Sequence, residues 1–181
     1  MSMRRLLLTL LALAGLALPA AAVARSIGPN DGTLVVRGGD NGDGVSQGAR
    51  PVVTLTITGF AIGRIAGVGR IDIYDLDPTN DSTPEVTGAD SHRDVTRTVG
   101  DQTQTGTRWT GTSFSFRAAE GTYRIVIYGS GVYLFAGGKG RVSFTGNPDP
   151  TIPDGGFSIN GGDFRSLPLD ATKPIGTVGN G

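Results

Sequence analysis

Apolar residues along most of this chain alternate with polar ones, and Gly, Asn, Asp or Pro interrupts the alternation every few residues. That period-two pattern predicts half-buried strands, and no window carries the 3.6-residue apolar spacing of a capped helix. It is clearest over 52–58, where Val53, Leu55 and Ile57 alternate with Thr54, Thr56 and Thr58 to give one apolar and one hydroxyl face. At Gly59 the parity breaks, because Phe60 and Ile62 fall on even positions, and a β-bulge is the simplest reading. Ala66-Gly67 then predicts a turn into 70–75, with Ile71 and Ile73 inward.

Further strands are expected at 33–37, briefly near Val86, and at 95–99, 107–117, 122–128, 132–136 and 141–145. Turns at 119–121, 129–131 and 137–140 would make the last four an antiparallel meander. After a Pro-rich connection, 157–159 and 164–166 form a hairpin around Asn160-Gly161-Gly162-Asp163, Asn-Gly being the strongest short hairpin signal. In all, about ten to twelve short strands are expected, so the fold class is all-β, an antiparallel β-sandwich. A closed β-barrel and a β-helix are the alternatives, although no repeat of fixed period supports the helix. The polar stretches 38–50 and 76–92 read as crossovers between sheets.

The first residues stand apart from this pattern. Arg4 and Arg5 precede an apolar run over 6–18, Pro19 ends it, and Ala22-Val23-Ala24 has the small-x-small spacing of a signal-peptidase site. The run is about 13 residues, whereas a helix spanning a bilayer needs roughly 20. Residues 1–24 therefore read as a signal peptide rather than a retained anchor, residues 25–168 as one β-sandwich domain, and 169–181 as a flexible tail. Leu167-Pro168-Leu169 starts like a wall-sorting signal but lacks its continuation. The expected location is secreted and extracellular, with no membrane span after cleavage.

Composition agrees with strands and turns: 30 Gly in the chain, acids that are Asp apart from Glu85 and Glu120, and bases that are Arg apart from Lys139 and Lys173. The residues that dress exposed helices are scarce. Removing Arg4 and Arg5 leaves a slightly negative chain, which offers no overall field for nucleic acid. With no Cys there is no disulfide, no thiol nucleophile and no Cys-based zinc site.

Residues 114–168 resemble a group of exported β-proteins from high-GC Gram-positive bacteria to which no function is assigned. The likeness rests on Phe114-x-Phe116-Arg117, Tyr123-Arg124-Ile125, Gly129-x-Gly131-Val132 and Gly138-x-Gly140-Arg141-Val142. It continues through Phe157-Ser158-Ile159-Asn160-Gly161-Gly162-x-Phe164 and Leu167-Pro168, and extends more loosely to 33–37 and 63–73. These are strand and turn residues, so the resemblance implies a fold and no chemistry.

Three kinds of chemistry can be tested against the residues. Gly38 to Val45 is close to one turn of a calcium-binding Gly/Asp nonapeptide, with Asp40, Asn41 and Asp43 as oxygen donors, and Asp75, Asp77 and Asp81 form a second acidic loop. Both fit a Ca²⁺ site and equally a solvated turn. Trp109, Arg124 and Tyr128 are candidates for a sugar-binding surface, the last two sharing one face of 122–128. Catalysis has the weakest support. His92, the sole histidine, sits beside Ser91, Asp90 and Asp94, but no Gly-x-Ser-x-Gly elbow exists. Asp72 with Asp75, or Glu120 with another acid, could reach the spacing of a glycosidase pair. No catalytic residue is assigned. The expected function is a secreted, non-catalytic structural or interaction domain whose partner is an extracellular macromolecule or a second copy. A carbohydrate- or calcium-dependent binding module is the alternative, and a polysaccharide hydrolase or lyase is third.

Overall fold

The computed structural model describes residues 28–42, 44–46, 48–77, 79, 82–148, 156–167 and 170–176. The expected signal peptide lies outside them. Among the described residues the fold is all-β: β1 (Gly32–Asp40), β2 (Val53–Asp75), β3 (Glu85–Thr87), β4 (Ser91–Val99), β5 (Gln102–Gly129), β6 (Val132–Phe144), β7 (Asn147–Pro148), β8 (Gly156–Ile159) and β9 (Ala171–Ile175). They form one antiparallel sheet, not closed into a barrel. Every pairing is antiparallel, which also sets it apart from a β-helix.

The expected short strands are in part fused. β2 runs 23 residues and β5 runs 28, straight through the turns predicted at Ala66-Gly67 and at Ala119-Glu120-Gly121. β6 likewise passes through Gly137-Gly138-Lys139-Gly140. The glycines there do not reverse the chain; they crease it. Gly32, Gly138, Gly59 and Gly121 are cross-strand neighbours on β1, β6, β2 and β5, a row with no side chains across four strands. At its centre Gly59 has φ 148° and Gly138 φ 138°. A Cβ on Gly59 would stand 2.1 Å from the Gly137 carbonyl oxygen, and one on Gly138 would stand 2.1 Å from that of Thr58.

The predicted bulge exists at this level, but its extra residue is on β5. Gly59 pairs with Gly121 and Ala61 with Ala118, so Ala119 and Glu120 oppose Phe60 alone, and Glu120 takes φ 50°. β2 keeps its odd parity inward through Leu55, Ile57, Ala61 and Ile65. Phe60 and Ile62 therefore lie on the opposite side, where Phe60 packs on Phe135 at 5.6 Å between ring centroids.

β2 also winds around part of β5. Ile127 pairs with both Val53 and Ile71, and Ile125 with both Leu55 and Ile73, so 123–127 lies between the two halves of β2. The expected meander is absent for the same reason: β5 and β6 are not adjacent, because β2 runs between them. The link from β5 to β6 crosses the second bulge of β2, with Ala66 N–H donating to the Gly131 oxygen (3.0 Å) and Gly67 N–H to that of Ser130 (3.2 Å). β1 and β2 flank β6 on opposite sides of the one sheet, so the connection expected at 38–50 to cross between two sheets instead links two strands of the same sheet.

The inward residues of all the long strands, among them Leu34, Leu55, Ile71, Phe116, Ile125, Leu134 and Phe144, belong to one buried cluster. Because one continuous sheet supplies them, it must fold over itself to enclose them. The Asn160-Gly161 turn forms as read: both residues have positive φ (54° and 71°), and Gly162 N–H donates to the Ile159 oxygen at 3.1 Å. That is type I′ geometry. The partner run 164–166 is reduced to one bridge, Phe157 with Arg165, and β8 instead pairs with β1. Part of the stretch expected to be a flexible tail is strand. β9 pairs with β6 and buries Ile175 fully, with Pro174 tolerated because β9 is an edge.

Candidate functional site

Residues paired directly across antiparallel strands point to the same face, so the register fixes what the outer face carries. One row runs Arg93, Arg108, Asp72, Val126, Thr54, Ser143, Thr172 across six strand pairings. The next runs Val95, Gly106, Tyr74, Arg124, Thr56, Arg141, Pro174. Hydroxyls pair across strands on this face: Thr58 with Thr122 at 3.1 Å, Ser143 with Thr172 at 2.8 Å, and Ser91 with Thr110 at 2.7 Å.

Two shallow grooves lie on it. One, of about 500 Å³, runs between Arg124, Arg141 and Lys139 over a floor of threonines from β2 and β5. The other, of about 430 Å³, lies among Arg70, Arg93, Arg108 and His92. No carboxylate lines either groove among the described residues. The acid of this face, Asp72, is 3 % exposed and already committed. It accepts two hydrogen bonds from Arg108, Nε to Oδ1 and Nη2 to Oδ2, both 2.7 Å, in the bidentate geometry that suits guanidinium. Arg70 Nε is 3.8 Å from the same Oδ1, and the Arg70 guanidinium sits 3.7 Å above the Tyr128 ring. The hydrogen bond to Asp72, followed in size by an opposing burial effect, leaves the Arg108 pKa raised.

The sugar-binding candidates are split by this register. Arg124 and Tyr128 are on the outer face, but Trp109 pairs with Ile71 and packs partly buried against the core on the inner one. The Tyr128 ring is covered on one side by Arg70. Sequence reasoning missed Arg70, Arg93, Arg108 and Arg141, whose convergence depends on long-range pairing.

The acidic loops sit apart. Asp40 Oδ1 accepts the Gly42 N–H at 2.9 Å, and Asn41 Nδ2 donates to the Arg50 oxygen at 2.8 Å. Asp75 Oδ1 accepts the Asp77 N–H at 2.9 Å, and Asp77 Oδ1 that of Thr79 at 3.3 Å. These bonds make local turns. Asp43 and Asp81 lie outside the described residues. The first loop joins β5 at Gly129 and the second at Thr122, about 20 Å apart along a strand, so the two cannot share an ion. Among the described residues no three His, Cys, Asp or Glu side chains are grouped to hold a metal.

Asp72 and Asp75 alternate in one strand and face opposite ways, which removes them as a carboxylate pair. His92 is exposed on edge strand β4, while Ser91 bonds Thr110 and Asp90 accepts the Thr112 N–H at 3.2 Å.

Two phenols are perturbed. Burial and then the nearby Asp72 carboxylate raise the pKa of Tyr74. Burial also raises that of Tyr123, outweighing the hydrogen bond to Ser82. A phenol raised in the folded state contributes its full stability below about pH 10, where both states are protonated. Above that the unfolded chain ionises first, and the contribution is lost as pH climbs toward the folded values. The melting temperature is therefore expected to fall above about pH 10, together with late ionisation of these two phenols in a tyrosine absorbance titration.

No protein family, curated protein or solved structure matches the chain.

Proposed function

We propose that the chain is an exported, non-catalytic interaction domain that binds an extracellular macromolecule through the outer face of its sheet. The observation that carries this reading is the uneven distribution of charge. A chain with 16 bases and 16 acids gathers six bases around the two grooves and, among the described residues, lines neither groove with an acid. A sheet face needed only for solubility would mix both signs. The leader-like start and the likeness of 114–168 to exported β-proteins support the location.

Two measurements test it. Protein recovered from culture fluid should begin at Arg25. Phenylglyoxal labelling of the full chain, with and without the extracellular polymer fraction of its producer, should show protection of Arg93, Arg124 and Arg141 and none of the exposed Arg37 and Arg165. Protection confined to Arg37 and Arg165, or protection nowhere, contradicts the reading.

A further inference from the structure

The outer face is arranged at some cost to itself. Arg93 and Arg108 are direct cross-strand neighbours, a like-charge juxtaposition that weakens a sheet. Asp72 offsets the Arg108 charge, but no carboxylate pairs with Arg93, Arg124 or Arg141 among the described residues. Lys139 has only Asp31, at 4.0 Å. Arg124 Nε is buried with no hydrogen-bond partner, a donor that water can no longer satisfy. The like-charge pair and the unpaired exposed cations are relieved by anionic groups brought from outside, and the buried Nε marks Arg124 as a side chain not placed there for stability.

The same face says what kind of anion. From Arg108 on β5 to Arg141 on β6 there are four strand steps, about 19 Å at the usual inter-strand spacing, so one small anion cannot serve both grooves. An extended polymer can. Between the cations stand hydroxyls, Thr54, Thr56, Thr58 and Thr122, which offer a hydroxyl-rich partner both donors and acceptors. Single-stranded nucleic acid calls for open aromatic faces, whereas here Tyr74 is 6 % exposed and Tyr128 lies under Arg70. A membrane surface calls for protruding apolar side chains. Val126 is buried, and Val45 is the exposed large apolar residue at the rim of one groove.

We infer that the face binds a linear anionic polysaccharide, with its carboxylates or sulfates on Arg124 and Arg141 in one groove and on Arg93 with Arg108 in the other, and its hydroxyls on the threonines between. This rests on the proposal that the outer face is the binding surface.

The test is fluorescence anisotropy of the full chain with labelled polygalacturonate, competed separately by dextran sulfate, uncharged dextran, duplex DNA and phosphatidylglycerol vesicles. Polygalacturonate is expected to bind, more weakly as salt rises. Competition by dextran sulfate would extend the site to sulfates, and its failure would confine it to carboxylates. Uncharged dextran should not compete. The double variant Arg124→Gln/Arg141→Gln should bind about tenfold or more weakly, since each loses a charge-assisted contact. Lys173→Gln and Arg165→Gln, placed at another surface, should bind as the parent does. An unchanged melting temperature in the double variant shows that the face, not the fold, was altered. Undiminished binding by that variant overturns the inference. So does equal competition by uncharged dextran, or tighter binding of DNA or vesicles that the same variant abolishes. In that last case the occupant is wrong while the face survives; arginine protection away from the grooves would instead sink the proposed function itself.

Discussion

Gly59→Ala is expected to prevent folding or to cost about 4 kcal/mol or more. The added Cβ would meet the Gly137 oxygen at 2.1 Å and Gly138 Cα at 2.9 Å, both backbone atoms of the paired strand. No side chain can rotate away to make room, and φ 148° is in any case a conformation that side chains disfavour. The crease bends β1, β6, β2 and β5 together, so β2 cannot shift without dragging its partners. Gly161→Ala is the control. Its φ is also positive, at 71°, but nothing lies within 4 Å of the added atom. That substitution should cost about 1 kcal/mol, from strain alone. Urea unfolding followed by circular dichroism separates the two. A Gly59→Ala protein as stable as Gly161→Ala would show that the strands are not creased against each other there.

Asp72→Ala should be the most damaging polar substitution, at about 3 kcal/mol. It leaves Arg108 without its two 2.7 Å bonds and removes the charge that also holds Arg70. The low end of the range for broken buried pairs applies, because the Arg108 side chain keeps 22 % exposure and recovers some hydration. Asp72→Asn should lose less, since its carbonyl can still accept one bond. The double variant Asp72→Val/Arg108→Val should recover most of the loss, as both charges go together and β-branched residues suit a strand. Thermal melts of the parent, Asp72→Val, Arg108→Val and the double variant make a double-mutant cycle. A coupling near zero would mean that the pair does not hold β2 to β5.

Alternation within a strand is legible in the sequence. Val53, Leu55 and Ile57 point inward and Thr54, Thr56 and Thr58 outward, as their alternation required, and Asn160-Gly161 closes the turn that its chemistry favours. Gly-rich stretches misled because glycine permits both a reversal and a sharp extended crease, and the choice lies in what passes alongside. At Gly59 the opposing residues are Gly121 and Gly138, remote in sequence. The bulge was legible, but not the strand that carries it, because Glu120 rather than a glycine adopts the left-handed conformation. Arg124 and Tyr128 were correctly placed together by alternation within one strand. Trp109 is a candidate only as the sole Trp, a residue more often core or interface than platform, and register places it beside Ile71 against the core. Arg93, Arg108 and Arg141 carry no local signal at all; they become one surface only when five cross-strand pairings are known.

That the outer face is kept cationic for binding rather than for stability is tested most directly on Arg124→Leu, measured in parallel for melting temperature and for affinity to polygalacturonate. Replacing a buried, unpartnered Nε with an apolar group should leave the melting temperature equal or higher while affinity falls. A lower melting temperature with affinity intact would contradict that claim.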